Sequence, residues 1–91
     1  MVEKIIGVQH VQYTSKKTNK FVDGYSFWLG REYSGVVGFD VHKLWFSSDH
    51  MDWSIEDKDL PALIDRYVEV DYASRTYQGK EEFYPSRLRL Q

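Results

Sequence analysis

With 91 residues the chain has room for one hydrophobic core and therefore for one domain, residues 1–91. A composition that is 42% hydrophobic and 29% charged is too apolar for disorder, and the lack of cysteine excludes a disulfide framework, a thiolate metal site and a cysteine nucleophile. The net charge of −2 argues against a simple polyanion binder, because phosphate affinity comes mainly from Lys and Arg.

A cysteine-free chain suits the reducing cytoplasm. The apolar start, Met1 to Gly7, is brief, and no run approaches the ~20 residues of a membrane span, so no membrane partner is expected. Aromatic residues reach 16%, with 3 Trp, 7 Tyr and 5 Phe. Charge is uneven: residues 49–65 hold six acids and one base, net −5, which leaves +3 for the rest.

Most of the chain reads as strand. In residues 2–15, Ile6 and Val8 share one phase, and Val11 and Tyr13 the other. One extra residue at Gln9-His10, a β-bulge, would bring all four to one face. Gly7 beside it suits a strand that bends sharply. After a polar loop over 15–20, Tyr25, Phe27 and Leu29 alternate with Ser26 and Trp28 in a second strand. A turn over 30–35 leads to a third strand with Val37, Phe39 and Val41 on one face. Its phase slips near His42-Lys43, after which Leu44 and Phe46 look inward and Trp45 outward. The acidic segment then breaks the β pattern. Ser54 with Asp57 imitates a capping box, Pro61 fits a first helical turn, and Leu60, Leu63, Ile64 and Tyr67 make one apolar stripe. A short helix over 59–66 is the expectation. A fourth strand over 67–73 would bury Val68, Val70 and Tyr72. Beyond a turn over 74–79, a fifth strand carries Leu88 and Leu90 inward and Arg87 and Arg89 outward. Pro85, lacking an N–H, predicts an edge or a bulge there.

Three strands, a helix and two strands is the order of an OB-fold. The expected architecture is mainly β: a five-stranded OB-fold-like Greek-key barrel with one short helix between strands three and four. An SH3-like barrel is the nearest rival, but it would not place its most helical segment there.

Such a barrel usually binds ligands on the outer face of strands two and three and on the loops joining strands one to two and four to five. Here the first loop holds Lys16, Lys17 and Lys20 and no acid. The second, residues 73–80, holds Arg75 and Lys80 around Tyr77, again with no acid. Outward positions between them include Trp28 and Trp45, with Lys43 alongside. Aromatics beside cations are what a single strand needs: each unpaired base can stack, worth ~1–3 kcal/mol, and phosphates follow a positive track. Plainer uses exist for the same residues. Lysine-rich loops serve as solvated turns, tryptophans fill cores or dimer interfaces, and Arg87 and Arg89 would guard an edge strand.

The stretch Gln12-Tyr13-Thr14-Ser15-Lys16-Lys17, leading to Gly24-Tyr25-Ser26, and the terminal Arg87-Leu88-Arg89-Leu90 resemble the small single-stranded-DNA-binding proteins of filamentous phages. The resemblance covers about a third of the chain and leaves residues 36–66 unmatched, where acidity departs from a basic family. It implies an OB-fold homodimer that binds single strands through a basic ribbon, here Tyr13, Lys16, Lys17, Lys20 and Phe21.

Enzyme constellations do poorly. Asp40-x-His42 and His50-x-Asp52 offer two-ligand pairs, where a closed metal site generally wants four. No Gly-rich phosphate loop or nucleophile elbow surrounds the glycines and serines. Catalysis, a bound metal and a cofactor are therefore not expected. The expected function is binding of single-stranded DNA, or RNA, with little sequence preference, in replication or maintenance of a phage or mobile element. The rival is a protein-interaction module that docks a basic partner through the acidic residues 49–65. A small-ligand or sugar-binding barrel ranks third.

Overall fold

The computed structural model describes residues 2–91. Five strands, β1 (Val2–Thr14), β2 (Phe21–Glu32), β3 (Phe39–Ser47), β4 (Tyr67–Tyr77) and β5 (Lys80–Leu90), make one antiparallel sheet in the order β3-β2-β1-β4-β5. Between β3 and β4 the described residues hold one short helix, α1 (Leu60–Leu63), and two 3-10 turns, Ser48–His50 and Asp57–Asp59. The fold is thus mainly β, with its helix after the third strand. A closed barrel is not formed. Strands β3 and β5 are the sheet edges, and the seam between them is crossed by a parallel bridge from Met51 to Leu88. Asp52 fastens that bridge: its N–H donates to the Leu88 carbonyl at 3.1 Å and its carboxylate accepts from the Leu90 N–H at 3.1 Å.

The core follows from period-two alternation on long strands. Ile5, Phe27, Leu29, Phe46, Val68 and Leu88 are fully enclosed, with Tyr25, Met51, Leu63 and Val70 around them. The expected bulge in β1 exists but lies elsewhere. Ile5 pairs with Leu29 and Gly7 with Trp28, so Ile6 is the extra residue, and pairing then runs unbroken to Thr14 opposite Phe21. Burying Ile5 sends Ile6 outward, beside Gly30. Val8 alone of the four expected residues turns to the core; Val11 and Tyr13 lie on the other side. No bulge is needed at Gln9-His10, because His10 faces inward and stacks on Tyr25 with centroids 4.5 Å apart.

Strand β3 also departs from expectation. It pairs with β2 without interruption from Phe39 opposite Glu32 to Ser47 opposite Gly24, so its phase never slips. Phe46 and Leu44 pack on the core, and counting back by twos puts His42 and Asp40 on that side as well. Phe39 and Val41 therefore share the outward side with Lys43 and Trp45, and Val37 lies outside the strand, fully exposed. An inward His42 is tolerated because its Nε2 sits 2.6 Å from Oε1 of the buried Glu3.

The helix is shorter than its stripe suggested. Pro61 does lie in the first turn, and Leu63 is buried with Leu60 packed beside it, but no side chain caps the N-terminus. Asp57, the expected cap partner, instead reaches His10. The helix stops because β1 captures the chain: Ile5 N–H donates to the Arg66 carbonyl at 2.8 Å and Asp65 N–H to the Ile5 carbonyl at 2.9 Å. Asp65 turns at a left-handed φ of 71°, leaving Ile64 and Tyr67 exposed.

In β4, Val68 and Val70 are buried as expected, whereas Tyr72 is 53% exposed. The bulge expected at Pro85 is present, on the neighbouring strand β5. Asp71 pairs with Arg87 but Tyr72 with Pro85, which makes Ser86 the extra residue. Residues 74–77, expected as turn, continue the strand. The turn proper is Gln78-Gly79, both with positive φ (50° and 75°), as a two-residue hairpin whose twist matches its strands requires.

Candidate nucleic-acid interface

The β1–β3 pleat sorts side chains by charge. The acids Glu3, Asp23 and Asp40 point to the core side, where each meets a base: His42 at 2.6 Å, His10 at 2.6 Å and Arg31 at 3.6 Å. The outward side carries Trp28 on β2, Phe39, Val41, Lys43 and Trp45 on β3, and Lys4, Ile6, Val11 and Tyr13 on β1. Of the acids in these three strands, Glu32 alone lies outward, at the end of the face.

Glycines let the rings lie flat on this face. Trp45 covers Gly24, where a Cβ would fall 2.5 Å from Cη2 of the ring and closer still to the Phe46 carbonyl oxygen. Phe39 and Ile6 close over Gly30, and Trp28 lies against Gly7. The two lysines sit above two of the rings, Lys43 Nζ 5.1 Å from the Trp28 centroid and Lys4 Nζ 5.3 Å from that of Phe39. Trp45 and Phe39 are each 40% exposed, while Trp28 is half-buried. The exposed outward rings of β2 and β3 are therefore Trp45 and Phe39, with Trp28 as a packed ring between them. Phe39 and Val41 were not singled out from the sequence. The signal that could have found them is the alternation Phe39-x-Val41-x-Lys43-x-Trp45, read without a slip.

The lysine-bearing tip continues this face. Residues 15–20 close a compact loop in which Ser15 N–H donates to the Lys20 carbonyl at 2.9 Å and Asn19 N–H to the Ser15 carbonyl at 2.8 Å. Lys16, Lys17 and Lys20 are exposed on it, and Tyr13 and Phe21 stand exposed at its base.

The other hairpin behaves differently. Strands β1 and β4 pair antiparallel only at Val2 to Lys4, so the 15–20 tip and the 78–79 tip leave in opposite directions. Arg75, Tyr77 and Lys80 are not gathered beside Lys16, Lys17 and Lys20. Their charge is also balanced on their own hairpin: Arg75 lies opposite Glu82, with Nε 3.6 Å from the carboxylate, and Glu81 follows Lys80. The body of this hairpin nevertheless returns to the face. Trp45, Ser47 and His50 on one side and Tyr84, Pro85 and Ser86 on the other enclose a hollow of about 360 Å³. Arg75 covers the Tyr84 ring, 5.3 Å from its centroid.

The acids of the 49–65 segment stay exposed, but most of them have partners within the chain. Met51, Trp53 and Ile55 alternate onto the core, holding the segment on that side. Asp52 fastens the seam, Glu56 meets Lys58 at 3.1 Å, and Asp65 meets Lys4 at 3.5 Å. Asp57 completes a clamp in which His10 donates from Nε2 to Asp23 and, at 2.7 Å, from Nδ1 to Asp57. Only imidazolium can donate from both nitrogens. The Asp23 bond, more than Asp57, holds the His10 pKa above its ordinary value against the opposing effect of burial. Asp23 is in turn held below the carboxylate range, first by His10 and then by Gln12 and Ser48.

Among the described residues no three His, Asp or Glu side chains gather as a metal site, and no helix is long and apolar enough to cross a membrane. Comparison with family models, curated proteins and solved structures found no match to this chain.

Proposed function

We propose that this chain is an OB-fold-like module that binds single-stranded nucleic acid, DNA in the first instance, with little sequence preference. The observation that carries the reading is the outward β1–β3 face, where Trp45 and Phe39 lie exposed with Lys4 and Lys43 over neighbouring rings, continuous with the acid-free lysine tip. Bases stack on the rings, and Lys16, Lys17, Lys20 and Lys43 meet phosphates. Tyr13 extends the stacking surface toward the tip, whereas Phe21, paired with Thr14, falls on the other side of the sheet. Arg75 and Tyr84 flank it on the far side of the Trp45 hollow. The barrel reading draws on the strand order and on the parallel Met51–Leu88 bridge, which lies where a closing β3–β5 ladder would run. A homodimer is part of the proposal. Tyr72 and Phe83, on one face of the β4–β5 hairpin, leave exposed apolar surface there, away from the lysine tip. A role in replication or maintenance of a phage or mobile element, in the cytoplasm, follows from the resemblance in the sequence.

The rival reading, a basic protein docking on residues 49–65, keeps exposed acids, but a basic partner would have to exchange the contacts that Asp52, Glu56, Asp57 and Asp65 already make within the chain. Titration with oligo-dT, followed by tryptophan fluorescence at two salt concentrations, tests the proposal. Quenching is expected, with affinity falling as salt rises by a log–log slope near −0.7 for each phosphate neutralised. No binding below ~100 µM at low salt would remove the proposal, since even sequence-independent electrostatic binding reaches that range.

A further inference from the structure

At the end of the outward face opposite the lysine tip lies a hollow of about 420 Å³ whose chemistry the stacking face does not require. Gly30 contributes its floor, and Phe39 and Tyr67, both exposed rings, stand at its two sides. Its polar groups are Lys4, paired across the sheet with both Gly30 and Tyr67, and Glu32, paired with Phe39. Arg31 also borders it, but its guanidinium is directed to Asp40 at 3.6 Å and lies over Tyr33. Two rings suit a flat ligand. The hollow thus offers a carboxylate that can only accept hydrogen bonds and an ammonium that can only donate.

Among the bases, guanine alone presents two adjacent donors, N1–H and N2–H, next to an acceptor, O6. A carboxylate takes the two donors together, and an ammonium on the same edge takes O6. Thymine and uracil present one N–H between two carbonyls, so the same carboxylate repels them. Adenine places its ring acceptor N1 where guanine has a donor. We propose that this hollow is a guanine subsite, in which Glu32 accepts from N1–H and N2–H, Lys4 donates to O6, and Phe39 and Tyr67 flank the base. The inference rests on the single-strand reading and deepens it: the strand binds without preference along most of the face and selects one base at its end. Lys4 is 3.5 Å from the exposed Asp65, a contact it shares or exchanges when guanine enters.

The test compares dT8 with a series in which one dG is moved through the eight positions, alongside 5′-GMP, 5′-AMP and 5′-TMP as isolated ligands. A dG at one position is expected to tighten binding roughly tenfold or more, as a bidentate contact does. Inosine there, lacking the N2 amino group, recovers only part of the gain. GMP should shift the NMR signals of Phe39 and Tyr67 where AMP and TMP do not. Glu32→Gln, which offers one acceptor beside a donor, should collapse the guanine-to-thymine ratio, and circular dichroism confirms that the variant is folded. If dT8 binds but no dG position improves it and GMP leaves those signals unmoved, the subsite is overturned and the stacking face stands. If dT8 does not bind, the proposed function falls, and GMP alone then decides whether the hollow takes guanine.

Discussion

Replacing Trp45 with alanine separates stacking from charge. The ring lies over Gly24, keeps 40% of its surface in water and borders the hollow toward Tyr84. Loss of one base–aromatic stack costs ~1–3 kcal/mol, so the dissociation constant should rise by ~5- to 150-fold. The fold should lose less than it would at a buried site. Full removal of an enclosed Trp costs ~3–5 kcal/mol, and a half-exposed ring resting on glycine falls below that, near ~2 kcal/mol. Trp45→Phe keeps a ring over Gly24 and should recover most of the affinity. Because the substitution removes a fluorophore, binding is read by anisotropy of labelled oligo-dT, at several salt concentrations. The informative quantity is the salt slope. Stacking adds no counterion release, so Trp45→Ala should shift the whole line down with its slope unchanged. Affinity within twofold of wild type at every salt concentration, in a variant that circular dichroism shows to be folded, would refute the assignment of Trp45 as a platform.

The other expectations concern charge, packing and pH. Lys16→Glu with Lys17→Glu should weaken oligo-dT binding and lower the magnitude of the salt slope by ~1.4, two phosphate contacts, with an unaltered far-ultraviolet spectrum. Gly24→Ala should destabilise by ~1–3 kcal/mol in urea titration, the usual cost of overpacking, because its Cβ meets the Trp45 ring and the Phe46 carbonyl oxygen. With its pKa raised, His10 contributes stability that is fully present below its ordinary 6.5 and fades as pH rises through the raised value. The contribution of Asp23, whose pKa is lowered, is full above its ordinary 3.8 and is lost as pH falls through the lowered value. Melting temperature measured from pH 4 to 9 should therefore decline on the alkaline side more steeply in wild type than in His10→Gln. Equal declines would show that the clamp does not contribute.

The sequence was most legible where burial is complete. Tyr25, Phe27 and Leu29 alternate without a break because all three fill the core, and the Pro85 bulge followed from a missing N–H. It was least legible where apolar residues serve the outside. Phe39 and Val41 are as hydrophobic as any core pair, so an inward reading of them forced a slip into β3 that the pairing does not contain. The reverse error moved the β1 bulge: His10 and Glu3 look like surface residues, yet they face inward because Asp23 and His42 complete their hydrogen bonds. Alternation marks two faces but does not say which one is the core. That ambiguity is greatest when one face carries a binding surface rich in rings. The candidate site was legible in part for the same reason. Trp28, Lys43 and Trp45 fell on one side from their spacing, whereas the balance of Arg75 by Glu82 depends on a cross-strand register that residues 73–80 alone do not reveal.

That an acidic chain should attract a polyanion is a matter of distance and not of net charge. Charges act over a Debye length of ~8–10 Å at physiological salt, about half the molecule's 20 Å thickness. A phosphate on the outward face therefore responds to Lys43, Lys4 and the lysine tip before it responds to acids on the core side. Those acids are also spoken for: Asp23 and Asp57 grip His10, and Glu3 grips His42. Adding one acid to the outward face should then matter far more than adding one among residues 49–65, although both change the net charge equally. Val41→Asp, at an exposed position of the outward face, against Ser54→Asp in the acidic segment makes that comparison. Loss of oligo-dT affinity is expected for the first alone. Equal losses would mean that net charge, and not the sorting of charge across the sheet, governs any attraction.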